Sequence, residues 1–166
     1  MSMEIALEWI RKNKETKEKE LNLSKLSLTH LPEELRDCEW LEHLNIRENK
    51  ELKDLSPLSR LVNLQSLYCS FMQVSDLSPL SGLVNLQRLS CYSTQVSDLS
   101  PLSIFIEKGI KIKFDGQSYT EGFDFKDCPL TFPPLEIAQQ GNAAILKYFA
   151  EQKNKAPKNS TKPKSW

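Results

Sequence analysis

The chain has 166 residues, 39% of them hydrophobic and 27% charged, enough for one domain with a continuous core and too few for two ordinary ones. Its 22 basic and 22 acidic residues cancel, so no whole-molecule field points to nucleic acid. No apolar run approaches the roughly 18 residues needed to span a bilayer. The start, MSMEIALEWIRKNKE, carries Glu4 ahead of its apolar residues with no small-residue cleavage site after them, so it does not read as a signal peptide. A cytoplasmic location with four reduced thiols is the expectation, and no membrane is expected as a partner.

From Met3 to about Asn13, Ile5, Leu7, Trp9 and Ile10 stand among charged residues and predict a short amphipathic helix. Apolar residues then recur in a fixed frame. Leu21, Leu23, Leu26 and Leu28 are followed by Leu41, Leu44, Ile46 and Asn49, then by Leu64, Leu67, Cys69 and Val74. A last set, Leu86, Leu89, Cys91 and Val96, lies 22 residues further on. The hexapeptide DLSPLS begins at Asp54, Asp76 and Asp98, again 22 residues apart. Within LxxLxL the apolar positions alternate, which predicts a short strand with one face inward. In DLSPLS, Ser before Pro predicts a helical start with the serine as N-cap and the proline at the first helical position. One strand and one helical turn cannot bury their own apolar face, but stacked copies can.

Further on, GIKIKFDG and EGFDFKDCPL predict strands with Ile110, Ile112, Phe123 and Phe125 facing in, their equivalent residues only 13 apart. The residues leave both a continued parallel strand and a returning hairpin open for the second of these. FPPLEIAQQGNAAILKYFAEQ predicts a helix over about 133–152, with Leu135, Ala138, Ile145, Tyr148 and Phe149 on its apolar face. Gly141 falls inside that helix, at a cost of about 1 kcal/mol against Ala, which suggests close packing against the last coil. The remainder, 153–166, has five lysines and no acid and reads as a disordered solubilising or linker tail. It has no arginine and only Trp166 to stack on a base, so nucleic acid is not expected there. Without it the body is net −5, from 17 basic and 22 acidic residues.

The frame is the L-x-x-L-x-L-x-x-N/C-x-L pattern of leucine-rich repeats. It predicts an α/β solenoid of about five coils over 18–130, with parallel strands on the concave face and short helical segments on the convex face. Helices would cap both ends, over 3–14 and 133–152. Residues 52–103 resemble the 22-residue bacterial subclass typified by the internalins, with DLSPLSGLVNLQRL the most characteristic phrase. The end segments, ALEWIRKNKETKEKELNLSKLSLTHLPEEL and DCPLTFPPLEIAQQGNAAILKYFAEQ, are similar to those of the leucine-rich domain of bacterial Roco proteins. In that family a Ras-like GTPase domain follows, but this sequence has no G-x-x-x-x-G-K-[ST] loop, so GTPase activity does not carry over. Leu26 and Cys128 stand where that family places asparagine, which puts the ladder there in doubt.

No nucleophile motif, acid–base pair or metal cluster emerges, so no enzyme, cofactor or metal is expected. Cys69 and Cys91 occupy equivalent inward positions about 4.8 Å apart. That distance permits a disulfide, while their repeat position explains them as small core residues. Cys38 and Cys128 are expected at opposite ends of the stack, away from that pair. His30 and His43 sit in a loop and at an outward strand position. The concave face is the expected binding surface, with His43, Arg47, Tyr68, Phe71, Arg88 and Tyr92 as candidates, because aromatics and arginine most often carry interface energy. The partner expected is another protein. The alternative is a stand-alone regulatory subunit or relic of a Roco-type GTPase system, acting in trans.

Overall fold

The computed structural model describes residues 1–155. Helix α1, Ser2–Thr16, is followed by strands β1 (Glu20–Asn22), β2 (His43–Asn45), β3 (Ser66–Tyr68) and β4 (Arg88–Ser90). After these come helix α2 (Ser103–Glu107), strands β5 (Ile112–Lys113) and β6 (Gly122–Asp124), and helices α3 (Leu135–Ala138) and α4 (Asn142–Lys155). The six strands form one parallel sheet in the order β1-β2-β3-β4-β6-β5, with short 3-10 turns between the first four. The architecture is a solenoid, as the repeat predicts.

The repeated leucines do what the frame requires. Leu44, Leu67 and Leu89 are register partners on adjacent strands, and Phe123 continues the row. All four are buried, as are Leu58, Leu80 and Leu102 of the DLSPLS copies. Each such leucine contributes on the order of 2 kcal/mol by leaving water. Past the strand ends the backbone ladder continues: Ile46 N–H donates to Tyr68 O at 2.9 Å, Cys69 N–H to Ser90 O at 2.8 Å and Cys91 N–H to Asp124 O at 2.9 Å.

The DLSPLS turns differ from the expectation in one respect. They are 3-10 turns, and the serine is not the cap. The aspartate two residues earlier takes that role: Asp54, Asp76 and Asp98 each accept the N–H of Ser56, Ser78 and Ser100 at 2.8 Å. An Asx turn satisfies the first free donor, and the proline then fixes φ for the turn. Accepting both the N–H and the hydroxyl of Ser78 holds the Asp76 carboxyl below its usual range.

Both caps are corrected in detail. In α1 the buried stripe is Ala6, Ile10 and Asn13, while Ile5 and Trp9 are exposed. Asn13 locks the helix onto the first coil, donating from Nδ2 to Glu18 O and Glu20 O at 3.1 Å and accepting Trp40 Nε1–H at 2.8 Å. At the other end the expected single helix is two. Gly141 adopts φ +101° between α3 and α4, and a Cβ there would meet nothing within 4 Å. The glycine is present for its backbone conformation, not for close packing. Leu135 is exposed rather than part of the buried face. Helix α4 runs to Lys155, past the expected end at Gln152; the rest of the predicted tail lies outside the described residues.

The open choice for the C-terminal strands resolves as parallel, with an exchange of order. Strand β6 lies beside β4, and the earlier β5 lies outside it. The segment 114–121 must therefore return from the end of β5 to the start of β6. Gly122 begins β6 at φ +114°, where a Cβ would sit 2.8 Å from Lys111 O, so only glycine fits the insertion.

Candidate functional site: the concave groove

Register and alternation set out the concave face as two rows. Glu20, His43, Ser66 and Arg88 stand side by side on β1 to β4 and end at Gly122. Two residues on, the row reads Asn22, Asn45, Tyr68, Ser90, Asp124, with Lys113 at the outer edge. In this second row Asn22, Asn45 and Asp124 each turn a side-chain oxygen onto a backbone N–H two residues ahead, at 3.0–3.1 Å, which closes the strand.

A cleft of about 720 Å³ runs over β1 to β4, with Trp9, Lys12 and Asn13 of α1 as one wall and Tyr68 and Arg88 towards the other. Next to Tyr68 and Ser90 the returning segment 114–121 lies over the face as a strap. Tyr119 sits 6.2 Å from Tyr68, ring to ring, and Ser118 Oγ lies 3.0 Å from Ser90 Oγ. The strap is held from below by Lys113, whose Nζ donates to Asp115 Oδ1 at 3.2 Å, to Gln117 O at 2.5 Å and to Thr120 Oγ1. Asp115 accepts the Gln117 N–H and lies below its ordinary pKa, chiefly for that reason. Asp124 is fully buried, and burial pushes its carboxyl up.

The six predicted residues do not form one patch. His43, Tyr68 and Arg88 line the groove. Arg47, Phe71 and Tyr92 lie beyond the strand ends, on a rim. Phe71 and Tyr92 meet edge to face at 5.1 Å. Phe71 belongs to a column of left-handed residues, with Lys25, Glu48, Ser93 and Asp127, all at φ between 54° and 60°. The conformation is costly for a side chain of this size. It recurs because the N–H groups of Lys25, Glu48, Phe71 and Ser93 each reach a carbonyl of the next coil. Arg47 is engaged with Glu48 at 3.5 Å. Trp9 joins His43, Tyr68 and Arg88 in the lining and Tyr119 stands against Tyr68; the repeat frame concealed Trp9 and Tyr119, which come from the cap and the strap.

The cysteines gather differently from the expectation. Cys69 and Cys91 are buried and unbridged, their sulfurs 2.8 Å apart. Cys128 joins them, its Sγ 3.1 Å from Cys91 O and 3.3 Å from Thr94 Oγ1, because β6 rather than β5 neighbours β4. Thr94 and Cys128 both bond Cys91 O, doing part of what Asn49 does with Leu23 O and Ile46 O. Burial raises the thiol pKa of Cys91 well above its ordinary value, and that of Cys128 as well. These are core thiols. Among the described residues no three His, Cys, Asp or Glu side chains are placed to hold one metal ion, and no helix is long and apolar enough to cross a membrane.

Strand, 3-10 turn and a shared leucine core, recurring every 22 or 23 residues beneath a concave groove, define a leucine-rich-repeat fold. Residues 62–103 match the family model of leucine-rich repeats in two copies. The repeats are internalin-like. An internalin of Listeria monocytogenes, inlF, is 27% identical over 58% of this chain and 28% of its own, with a TM-score of 0.53. Internalin C2 of the same organism is 37% identical over 42% of this chain and 30% of its own, with a TM-score of 0.41. The chain thus spans less than a third of either internalin. None of the curated proteins compared with it matches. The end segments, where a likeness to Roco proteins is expected, fall outside the matched repeats.

Proposed function

We propose that the chain is a non-enzymatic, cytoplasmic protein-binding module whose partner lies in the groove between α1 and the strap. Leucine-rich repeats in general serve protein–protein interaction, and an open cleft over the strands supports that reading. The observation that carries it is the set of side chains converging there from separate elements: half-exposed Trp9 from the cap, Tyr68 and Arg88 from neighbouring strands, and Tyr119 from the strap. Aromatics and arginine around a cleft are what a protein interface uses as anchors.

Affinity capture from the source cell tests this, comparing the natural chain with Tyr68→Ala, Phe71→Ala, Arg88→Ala and Tyr92→Ala. Partner binding should fall about tenfold or more for the two groove variants and less for the two rim variants, with little change in Tm. Unchanged affinity across all four would overturn the reading. A captured Roco-type GTPase would turn it towards a regulatory subunit acting in trans.

A further inference from the structure

The groove keeps opposite charges at its two ends, and we propose that it takes an extended segment of a partner protein, with a carboxylate on Arg88 and a cation beside Glu20 about four residues away. This rests on the concave-face reading and specifies the partner's chemistry.

Glu20, His43, Ser66 and Arg88 form one row across four strands, so their side chains rise from the same face. At one end, Arg88 Nε and Ser66 Oγ are both buried without a hydrogen-bond partner among the described residues, and Ser66 is fully buried. The half-buried Arg88 guanidinium lines the cleft and suits a carboxylate, which matches the arginine fork. At the other end stand Glu18 and Glu20, with Lys12 of α1 facing them, which leaves that end net negative by one charge.

The neighbouring rim shows that this pattern is not a general feature of the face. There Lys19 pairs with Glu42, and Lys25 and Arg47 both pair with Glu48. Within the groove, Arg88, Glu18 and Glu20 make no ion pair among the described residues. The other nearby acid, Asp124, is turned onto the Lys126 N–H under the strap.

Three strand spacings of about 4.8 Å separate Glu20 from Arg88, or about 14 Å. An extended chain advances about 3.3 Å per residue, so the span corresponds to about four residues. Residues i and i+4 of an extended segment share a face, so both charges can point down into the groove together. A polyanion such as nucleic acid would meet Glu18 and Glu20 and is disfavoured.

The test is a displayed library of random peptides about ten residues long, selected on the full chain and on the double charge reversal Glu20→Lys/Arg88→Glu. Selection on the natural chain should enrich an acidic and a basic residue four apart. Affinity for an enriched peptide should drop about tenfold with Arg88→Ala and with Glu20→Lys. The reversed variant should enrich the opposite order of charges along the peptide. Enriched peptides that depend on Tyr68 but show no charge spacing, or ignore Arg88→Ala, would overturn this inference and leave concave binding standing. Peptides indifferent to Tyr68 and Arg88 alike, or no enrichment, would overturn both.

Discussion

Asp124 shows how a repeat position can be read from sequence while its energetics cannot. FDF lines up with LNL and LNI, which places Asp124 with Asn22 and Asn45, and all three accept a backbone N–H two residues ahead. What the pattern does not reveal is the strap, beneath which Asp124 is fully buried with Oδ2 unpartnered among the described residues. Burial raises its folded-state pKa above the unfolded value. A raised acid binds its proton more tightly when folded, so this group's contribution declines as pH rises from the unfolded carboxylate range through the folded value. At neutral pH it therefore opposes folding. Asp124→Asn keeps the acceptor oxygen and removes the charge, so thermal unfolding at pH 7 should shift up by about 2–4 °C. The gap should close towards pH 4. An unchanged or lower Tm at pH 7 would contradict this account of the site.

At the scale of elements, the strands and the leucine core were legible because their period is rigid. Turn and cap chemistry was less so. In DLSPLS the serine reads as the N-cap, and the hydrogen bonds from Ser56, Ser78 and Ser100 to their aspartates overturn that reading. Gly141 is the sharper case. As a helix-interior glycine it would be improved by alanine, since alanine is the better helix former by about 1 kcal/mol. At φ +101° between α3 and α4 the same change is strained, although nothing would touch the new Cβ. Gly141→Ala should therefore destabilise the protein by about 1 kcal/mol or more in denaturant unfolding. Stabilisation would contradict the break between the two helices.

At the scale of the whole molecule, the solenoid was evident in the sequence and the extent of its free concave face was not. The spacing of 13 between the C-terminal strands gave no order for them. Placing β6 inside β5 sends the strap across the face, so Tyr119 and Ser118 cover part of the surface that the repeats alone would leave open. Of the predicted set only His43, Tyr68 and Arg88 share the groove, because Arg47, Phe71 and Tyr92 follow the ends of their strands. Two elements outside the repeat frame thus shape the face: α1 walls the groove, and the strap stands against Tyr68. The most direct measurement is photo-crosslinking in the source cell from a light-activated phenylalanine analogue at position 68, on the groove floor, or at position 84, where Val84 is half-exposed outside the groove lining. The account predicts a partner protein crosslinked from position 68 and not from 84; crosslinking from 84 alone would contradict it.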